Sequence, residues 1–213
     1  MLRIGFDIDG VLANFVRSYQ KLFIRLTGED RFLPGDIEDP PCWDWPTLRG
    51  YTEEQTALVW GAIKTDPAFW LNLEPTSDVG LLRLLIRQLE RKHDVYYVTS
   101  RVGERAKRQS ELWLFSQLRY PLSVGPEVWP TVLISSEKGE CCHALKLDVY
   151  VDDNFDNVVD CLKKSVHTRT YLLEKRYNQN VQTSVPVEIQ GRTVLRPIER
   201  IGSLGRLFDI ESI

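Results

Sequence analysis

Nowhere in the 213 residues is there a run of the roughly eighteen apolar positions that a membrane-crossing helix needs, so a helical membrane anchor is not expected. Basic charge is not in excess either. The 27 Lys and Arg residues stand against 30 Asp and Glu, the net charge is −3, and no basic stripe marks duplex nucleic acid as a partner. Met1-Leu2-Arg3 leads straight into an apolar stretch without the charged and apolar regions of a secretory leader, so the expected location is the cytoplasm. Cysteine is sparse as well: Cys42, Cys141, Cys142 and Cys161 have no Cys-x-x-Cys spacing and are expected to be reduced thiols. Cys141-Cys142-His143 places three possible metal ligands side by side, but adjacent residues do not readily close a tetrahedral zinc site and no second cluster completes one. Internal repeats and low-complexity tracts are absent, and the length suits one sizeable core with a smaller insert.

Against this plain background one short run carries chemistry. Ile4-Gly5-Phe6 reads as a buried strand that ends in Asp7-Ile8-Asp9-Gly10-Val11 and passes into a helical pattern. Alternate strand residues share a face, so Asp7 and Asp9 can border one site, and Gly10 permits a sharp turn out of it. Carboxylates that close together repel, which invites a hard cation such as Mg²⁺ shared with substrate phosphate. A Ca²⁺ loop would need further oxygen ligands and a glutamate at its twelfth position, whereas Leu12-Ala13-Asn14-Phe15-Val16 continues as an apolar helix opening.

Helical spacing of Leu12, Phe15, Val16, Tyr19, Leu22, Phe23 and Leu26 ends at Gly28. Pro34, Pro40, Pro41 and Pro46 then break residues 29–51 into an irregular excursion containing Trp43 and Trp45. Thr52 and Gln55 form a capping box for a helix to about Lys64, closed by Asp66-Pro67. From Asp78 onward helices and short apolar strands alternate: a helix to Arg91, strand 95–98, helix 103–119, strand 131–134, strand 149–151 and strand 170–173. Five short strands separated by helices predict an α/β fold with a doubly wound parallel sheet and a small helical cap inserted after the first strand. The expected division is a core of 1–14 and 76–180, a cap of 15–75 and a C-terminal extension of 181–213. That extension reads as a hairpin turning at Gln190-Gly191 followed by a short helix. Gly202-Ser203-Leu204-Gly205 lacks the strand, helix and lysine of a phosphate loop and reads as a turn.

Ligands in such sheets lie beyond the carboxyl ends of the strands. Asp7 and Asp9 end the first strand, Thr99-Ser100-Arg101 the second, Ser135-Ser136-Glu137-Lys138 follow the third, and Asp152-Asp153 end the fourth. Thr99 and Ser100 offer hydroxyls and backbone N–H groups before a helix, where anions bind well, or Ser100 is simply a helix cap. Lys138 offers a positive charge for phosphate oxygens, with Lys146 as a rival and a solvated surface lysine as the plain alternative.

This ordered set resembles the four motifs of the haloacid dehalogenase-like phosphatase superfamily. Within it, Asp7 to Phe15, Asp66 to Pro75, Val95 to Arg101 and Asp148 to Asn157 are similar to the 5′(3′)-deoxyribonucleotidase group, over about residues 1–160. The resemblance implies a Mg²⁺-dependent phosphatase acting on small phosphate esters, nucleoside monophosphates first among them, with a homodimer left open. It implies Asp7 as nucleophile and Asp9 as acid and base. Asp7, Asp152 and the backbone carbonyl of Asp9 would bind the metal, with Asp153 behind them and Asp156 as a competitor for a metal role. Thr99, Ser100 and Lys138 would hold phosphate. Phe15, Trp43, Trp45, Phe69 and Trp70 would line a nucleobase slot or, alternatively, anchor the cap. Phosphatases of the same mechanism for sugar phosphates or nucleic-acid termini, and an idle binding module, are the competing readings.

Overall fold

A computed structural model describes residues 1–76, 79–119 and 129–212. In chain order these form β1 (Arg3–Phe6), β2 (Ala13–Asn14), α1 (Phe15–Thr27), α2 (Trp45–Leu48), α3 (Glu53–Thr65), β3 (Glu74–Pro75), α4 (Val79–Glu90), β4 (Asp94–Thr99) and α5 (Ala106–Leu114). There follow β5 (Thr131–Ile134), α6 (Lys138–Leu145), β6 (Val149–Asp152), α7 (Phe155–Lys164), β7 (Arg169–Leu173), β8 (Ser184–Ile189), β9 (Arg192–Pro197) and β10 (Glu199–Ile201). The start expected for α4 at Asp78 lies outside the described residues, and the helix expected over 103–119 is α5 continued by a wider turn, Phe115–Arg119.

Six strands form one parallel sheet in the order β10-β7-β6-β1-β4-β5, which confirms the doubly wound α/β architecture and adds one strand to the five expected. The addition is β10, whose Glu199-Arg200-Ile201 is too short and too polar to read as a strand, yet pairs in parallel with Tyr171–Leu173. Side-chain alternation explains the two covered faces. Ile4, Phe6, Tyr97, Val149, Val151, Tyr171 and Leu173 point into the core shared with Leu82, Leu85, Ile86 and Leu89 of α4 and Trp113 of α5. Val98 and Tyr150 point the other way, toward Cys142 of α6 and Cys161 of α7. All four cysteines are free thiols.

The chain starts at the centre of the sheet, moves to β4 and β5 on one side, then crosses back to β6 and β7 on the other. The end of β1 is therefore the point where strand order reverses, the place where a crevice opens in sheets of this type.

Residues between β2 and β3 leave and rejoin the core through a two-stranded neck, Ala13 opposite Pro75 and Asn14 opposite Glu74. Asn14 caps α1 by accepting from the Arg17 N–H, and Gly28 at φ 72° closes the helix with an N–H to the Ile24 carbonyl. Thr52 and Gln55 form a capping box for α3. The proline-rich stretch between these helices folds on a cluster of aromatic rings, Tyr19, Phe23, Phe32, Trp45 and Tyr51, and on Asp36, buried and held bidentately by Arg49 at 2.7 and 2.8 Å. Beyond β7, β8 and β9 pair antiparallel about Gln190-Gly191, both at positive φ, and β8 rests on α7.

Helices α6 and α7 meet closely at Gly139, whose N–H donates to Asp160 Oδ2 at 2.7 Å and where a Cβ would come within 2.5 Å of the Asp160 carbonyl oxygen. Gly139→Ala should cost about 1–3 kcal/mol through overpacking, read as a lower urea midpoint at unchanged m value.

Candidate active site

Three carboxylates crowd the reversal point. Ligating oxygens of Asp7, Asp152 and Asp153 all lie within 4.8 Å of one another, and all three residues are buried. Lys138, the first residue of α6 and 1 % exposed, reaches across the sheet to donate to Asp7 Oδ1 at 2.6 Å and to the Val98 carbonyl. Lys146, its rival in the sequence, sits exposed at the far end of the same helix.

Burial drives the electrostatics. It lifts the Asp7 carboxyl to about 7, with Lys138 pulling it down and Asp152 and Asp9 pushing it up. It lifts Asp153 to about 7 with help from Asp7, and Asp152 to about 6 with Lys138 opposing. Burial also works against the Lys138 ammonium, but Asp7, Asp152 and Asp9 outweigh it and hold the group above its ordinary value. One cation among three buried acids leaves negative charge that a divalent ion would neutralise.

Neighbouring groups aim each acid. Asp152 accepts from Tyr150 Oη at 2.7 Å, the Asn154 N–H at 2.8 Å and Asn157 Nδ2 at 3.0 and 3.2 Å. Asp153 accepts from the Tyr177 phenol, and its backbone carbonyl takes Asn178 Nδ2 at 2.8 Å. Gly10, at φ 81°, lies so close to Asp153 that a Cβ would fall 1.9 Å from Oδ2, so this glycine is required by both its conformation and its neighbour.

Asp9 stands apart from the cluster. Its carboxylate is gripped by Arg101, with Nε at 3.0 and 3.2 Å and Nη2 at 2.8 Å, which leaves its main-chain carbonyl as the ligand it has to offer a cation. Arg101 is itself fixed by Ser110 Oγ at 3.0 Å and by the rings of Trp70 and Trp113, 4.9 and 5.9 Å from its guanidinium carbon. Thr99 Oγ1 is buried without a hydrogen-bond partner among the described residues, an acceptor and donor facing an unfilled requirement. The Ser100 hydroxyl donates to the Ser135 carbonyl at 3.1 Å, and Ser100 borders the cavity beside Thr99.

Over this floor opens a cavity of about 500 Å³, bordered by Asp7, Asp9, Thr99, Ser100, Arg101 and Asp153 below and by Phe15, Trp43, Trp45, Trp60, Trp70 and Tyr177 around it. Phe15 lies near parallel to Trp60 and Trp70, 5.6 and 5.8 Å away. Trp70 is anchored by Nε1 to the Val102 carbonyl and by its N–H to Gln109, both at 2.9 Å. Phe69 is not part of the wall; it packs edge-on behind Phe15 and Trp70. Asp156, in the first turn of α7, also lies outside the acidic cluster. The sequence alone marks no role for Trp60, Arg101 or Tyr177. Only Arg101 had a local signal, standing directly after Thr99-Ser100.

A parallel sheet with its acids at the reversal point defines the class, and solved structures agree in fold. A haloacid dehalogenase-like hydrolase from Burkholderia xenovorans LB400 matches with a TM-score of 0.54 at 17 % identity, covering 99 % of this chain and 96 % of that one. The hydrolase YfnB from Bacillus subtilis, solved with magnesium bound, matches at 0.54 and 12 % identity, with coverage of 100 % and 99 %. A haloacid dehalogenase-like family protein from Streptococcus pneumoniae matches at 0.53 and 10 %, with coverage of 82 % and 85 %. Comparison with curated protein sequences returns no match. The chain has the fold of the haloacid dehalogenase-like hydrolases. Within that class, residues 1–188 match the sequence profile described as 5′ nucleotidase, deoxy (Pyrimidine), cytosolic type C protein, and the chain belongs to this family of phosphoric monoester hydrolases acting on small phosphate esters. No helix among the described residues is long and apolar enough to cross a membrane.

The raised acids give a pH-dependent stability. Asp153 moves from an ordinary 3.8 to about 7 in the fold, so its contribution is fully present below the lower value and is lost as pH rises through about 7. In chelator, Asp153→Asn should therefore gain melting temperature relative to wild type as pH rises from about 4 to about 7, at about 2–4 °C per kcal/mol. Added Mg²⁺ should reverse that order at the higher pH, as read by differential scanning calorimetry.

Proposed function

We propose that the protein is a Mg²⁺-dependent, cytoplasmic 5′(3′)-nucleotidase that hydrolyses ribo- or deoxyribonucleoside monophosphates through an aspartyl-phosphate on Asp7. The observation that carries this reading is the juxtaposition of a Lys138-bound, buried Asp7 with an aromatic cavity large enough for a nucleoside.

In this reading the phosphate enters above Asp7, with its oxygens on Thr99 Oγ1, the Ser100 N–H and the Lys138 ammonium. A carboxylate oxygen of Asp7 forms a bond to phosphorus as the ester P–O bond breaks, and the departing nucleoside oxygen takes its proton from Asp9. Water then attacks the phosphorus, its proton passes to Asp9, and Asp7 leaves as carboxylate. Through both halves Arg101 keeps Asp9 facing the cavity. Asp7, Asp152, Asp153 and the Asp9 carbonyl would hold Mg²⁺, which when bound supplies charge neutralisation between nucleophile and phosphate. The four oxygen donors, three of them buried acids with one lysine among them, suit a hard divalent cation.

The aromatic wall supports a nucleoside over a sugar phosphate. Stacking a base on such rings is worth about 1–3 kcal/mol and accepts most bases. Exposed Trp43 and half-buried Trp60, both bordering the cavity, offer ring surface for it.

Phosphate release from a panel of nucleoside monophosphates should require Mg²⁺ and vanish in chelator. Asp7→Asn should reduce it to background, and Asp9→Asn should slow it by about 10²–10⁴-fold, the usual range for a general acid and base. Hydrolysis of phosphorylated oligonucleotides with none of free nucleotides would replace the proposed substrate class.

A further inference from the structure

The loop after β7 joins three parts of the site, and one of its residues touches two of them. Arg176 donates its N–H to Asp39 Oδ1 at 2.9 Å and Nη1 to the Asp39 carbonyl at 3.1 Å, so the loop holds the irregular excursion of the cap. Asn178, 1 % exposed, donates Nδ2 to the backbone carbonyls of Asp153 and Leu173, both at 2.8 Å, so the same loop is fastened to the sheet. Between them, Tyr177 gives its phenol proton to Asp153 Oδ2 and meets Trp43 edge-on, with centroids 5.5 Å apart and planes at 75°.

Both contacts matter because each partner has little else to orient it. Trp43 is 63 % exposed, and Tyr177 is the ring against which it rests. Tyr177 is the side-chain hydrogen-bond donor to the Asp153 carboxylate, which also takes a backbone hydrogen bond and the attraction of Lys175, while Asp7 and Asp152 are neighbouring acids that repel it.

We propose that Tyr177 is a positioning residue that sets the acidic cluster and the aromatic wall together: its hydroxyl turns Asp153 toward Asp7 and Asp152, and its ring seats Trp43 across the nucleotide cavity. The proposal deepens the reading of this site as a Mg²⁺ nucleotidase and rests on it. It separates two functions within one side chain, the hydroxyl serving the cation and the ring serving the substrate.

The test measures Mg²⁺ affinity by isothermal titration calorimetry without substrate, and KM and kcat for a nucleoside monophosphate at saturating Mg²⁺. Tyr177→Phe keeps the ring and should weaken Mg²⁺ about tenfold, the lower end for loss of a group that orients a ligand, with KM within about twofold of wild type. Trp43→Leu, at an exposed position that should fold normally, should raise KM about tenfold while leaving Mg²⁺ affinity unchanged. Tyr177→Leu should show both effects. Mg²⁺ affinity unaltered in Tyr177→Phe would overturn the proposal, as would equal losses in both readouts for every variant, the pattern of a merely structural residue. Wild-type protein that binds no Mg²⁺ and releases no phosphate would instead overturn the underlying nucleotidase reading.

Discussion

Three buried carboxylates drawn around a single ammonium form the constraint on which the rest of this structure depends. Isolated charges are costly to bury, and Asp7, Asp152 and Asp153 are each pushed well above the ordinary carboxyl range by that cost. What brings them together is topology. Strands β1 and β6 are neighbours because the chain reverses its winding direction at β1, and both strands end in aspartate at the same level of the sheet. Lys138 answers from α6, so the helix that follows β5 and the strand that begins the chain meet over 131 residues of sequence. In the proposed reading, a bound cation would relieve the cost of holding these groups together.

A second constraint acts from above. The insert between β2 and β3 has few long regular elements, and its order comes from rings packed on rings together with the buried Asp36–Arg49 pair. Tyr19 and Trp45 of this cluster also line the cavity, so in the proposed reading cap stability and substrate recognition draw on shared residues. Arg101 ties the two layers at one side, with Asp9 on its fork and Trp70 and Trp113 against its guanidinium. A change in the position of Trp70 would thus be felt at Asp9 without any contact between them.

Much of this was legible because the chemistry lies at strand ends, and strand ends are marked by apolar runs stopping at polar residues. Asp7, Thr99, Lys138 and Asp152-Asp153 all follow such runs, and the structure gathers them at one place. Alternation of helix and strand likewise announced the doubly wound sheet. What could not be read depends on folding at long range. Glu199-Arg200-Ile201 is a strand because β7 has an open edge beside it, a fact external to those three residues. Tyr177 follows the last strong strand in a stretch without periodicity, and its role is defined by Asp153 and Trp43, 24 and 134 positions earlier. Phe69 and Trp60 show the opposite limit: aromatic composition marked the cap, but which rings face the cavity is set by how the helices turn, so Trp60 lines it and Phe69 backs it.

The central claim is that Asp7 accepts the phosphoryl group. Acid quenching during turnover of a nucleoside monophosphate with Mg²⁺, followed by peptide mass spectrometry, tests it directly. A phosphoryl group is expected on the peptide containing Asp7, at the side chain of that residue, and none in the Asp7→Asn protein. Sustained turnover with no phosphorylated peptide, and with Asp7→Asn still active, would contradict it.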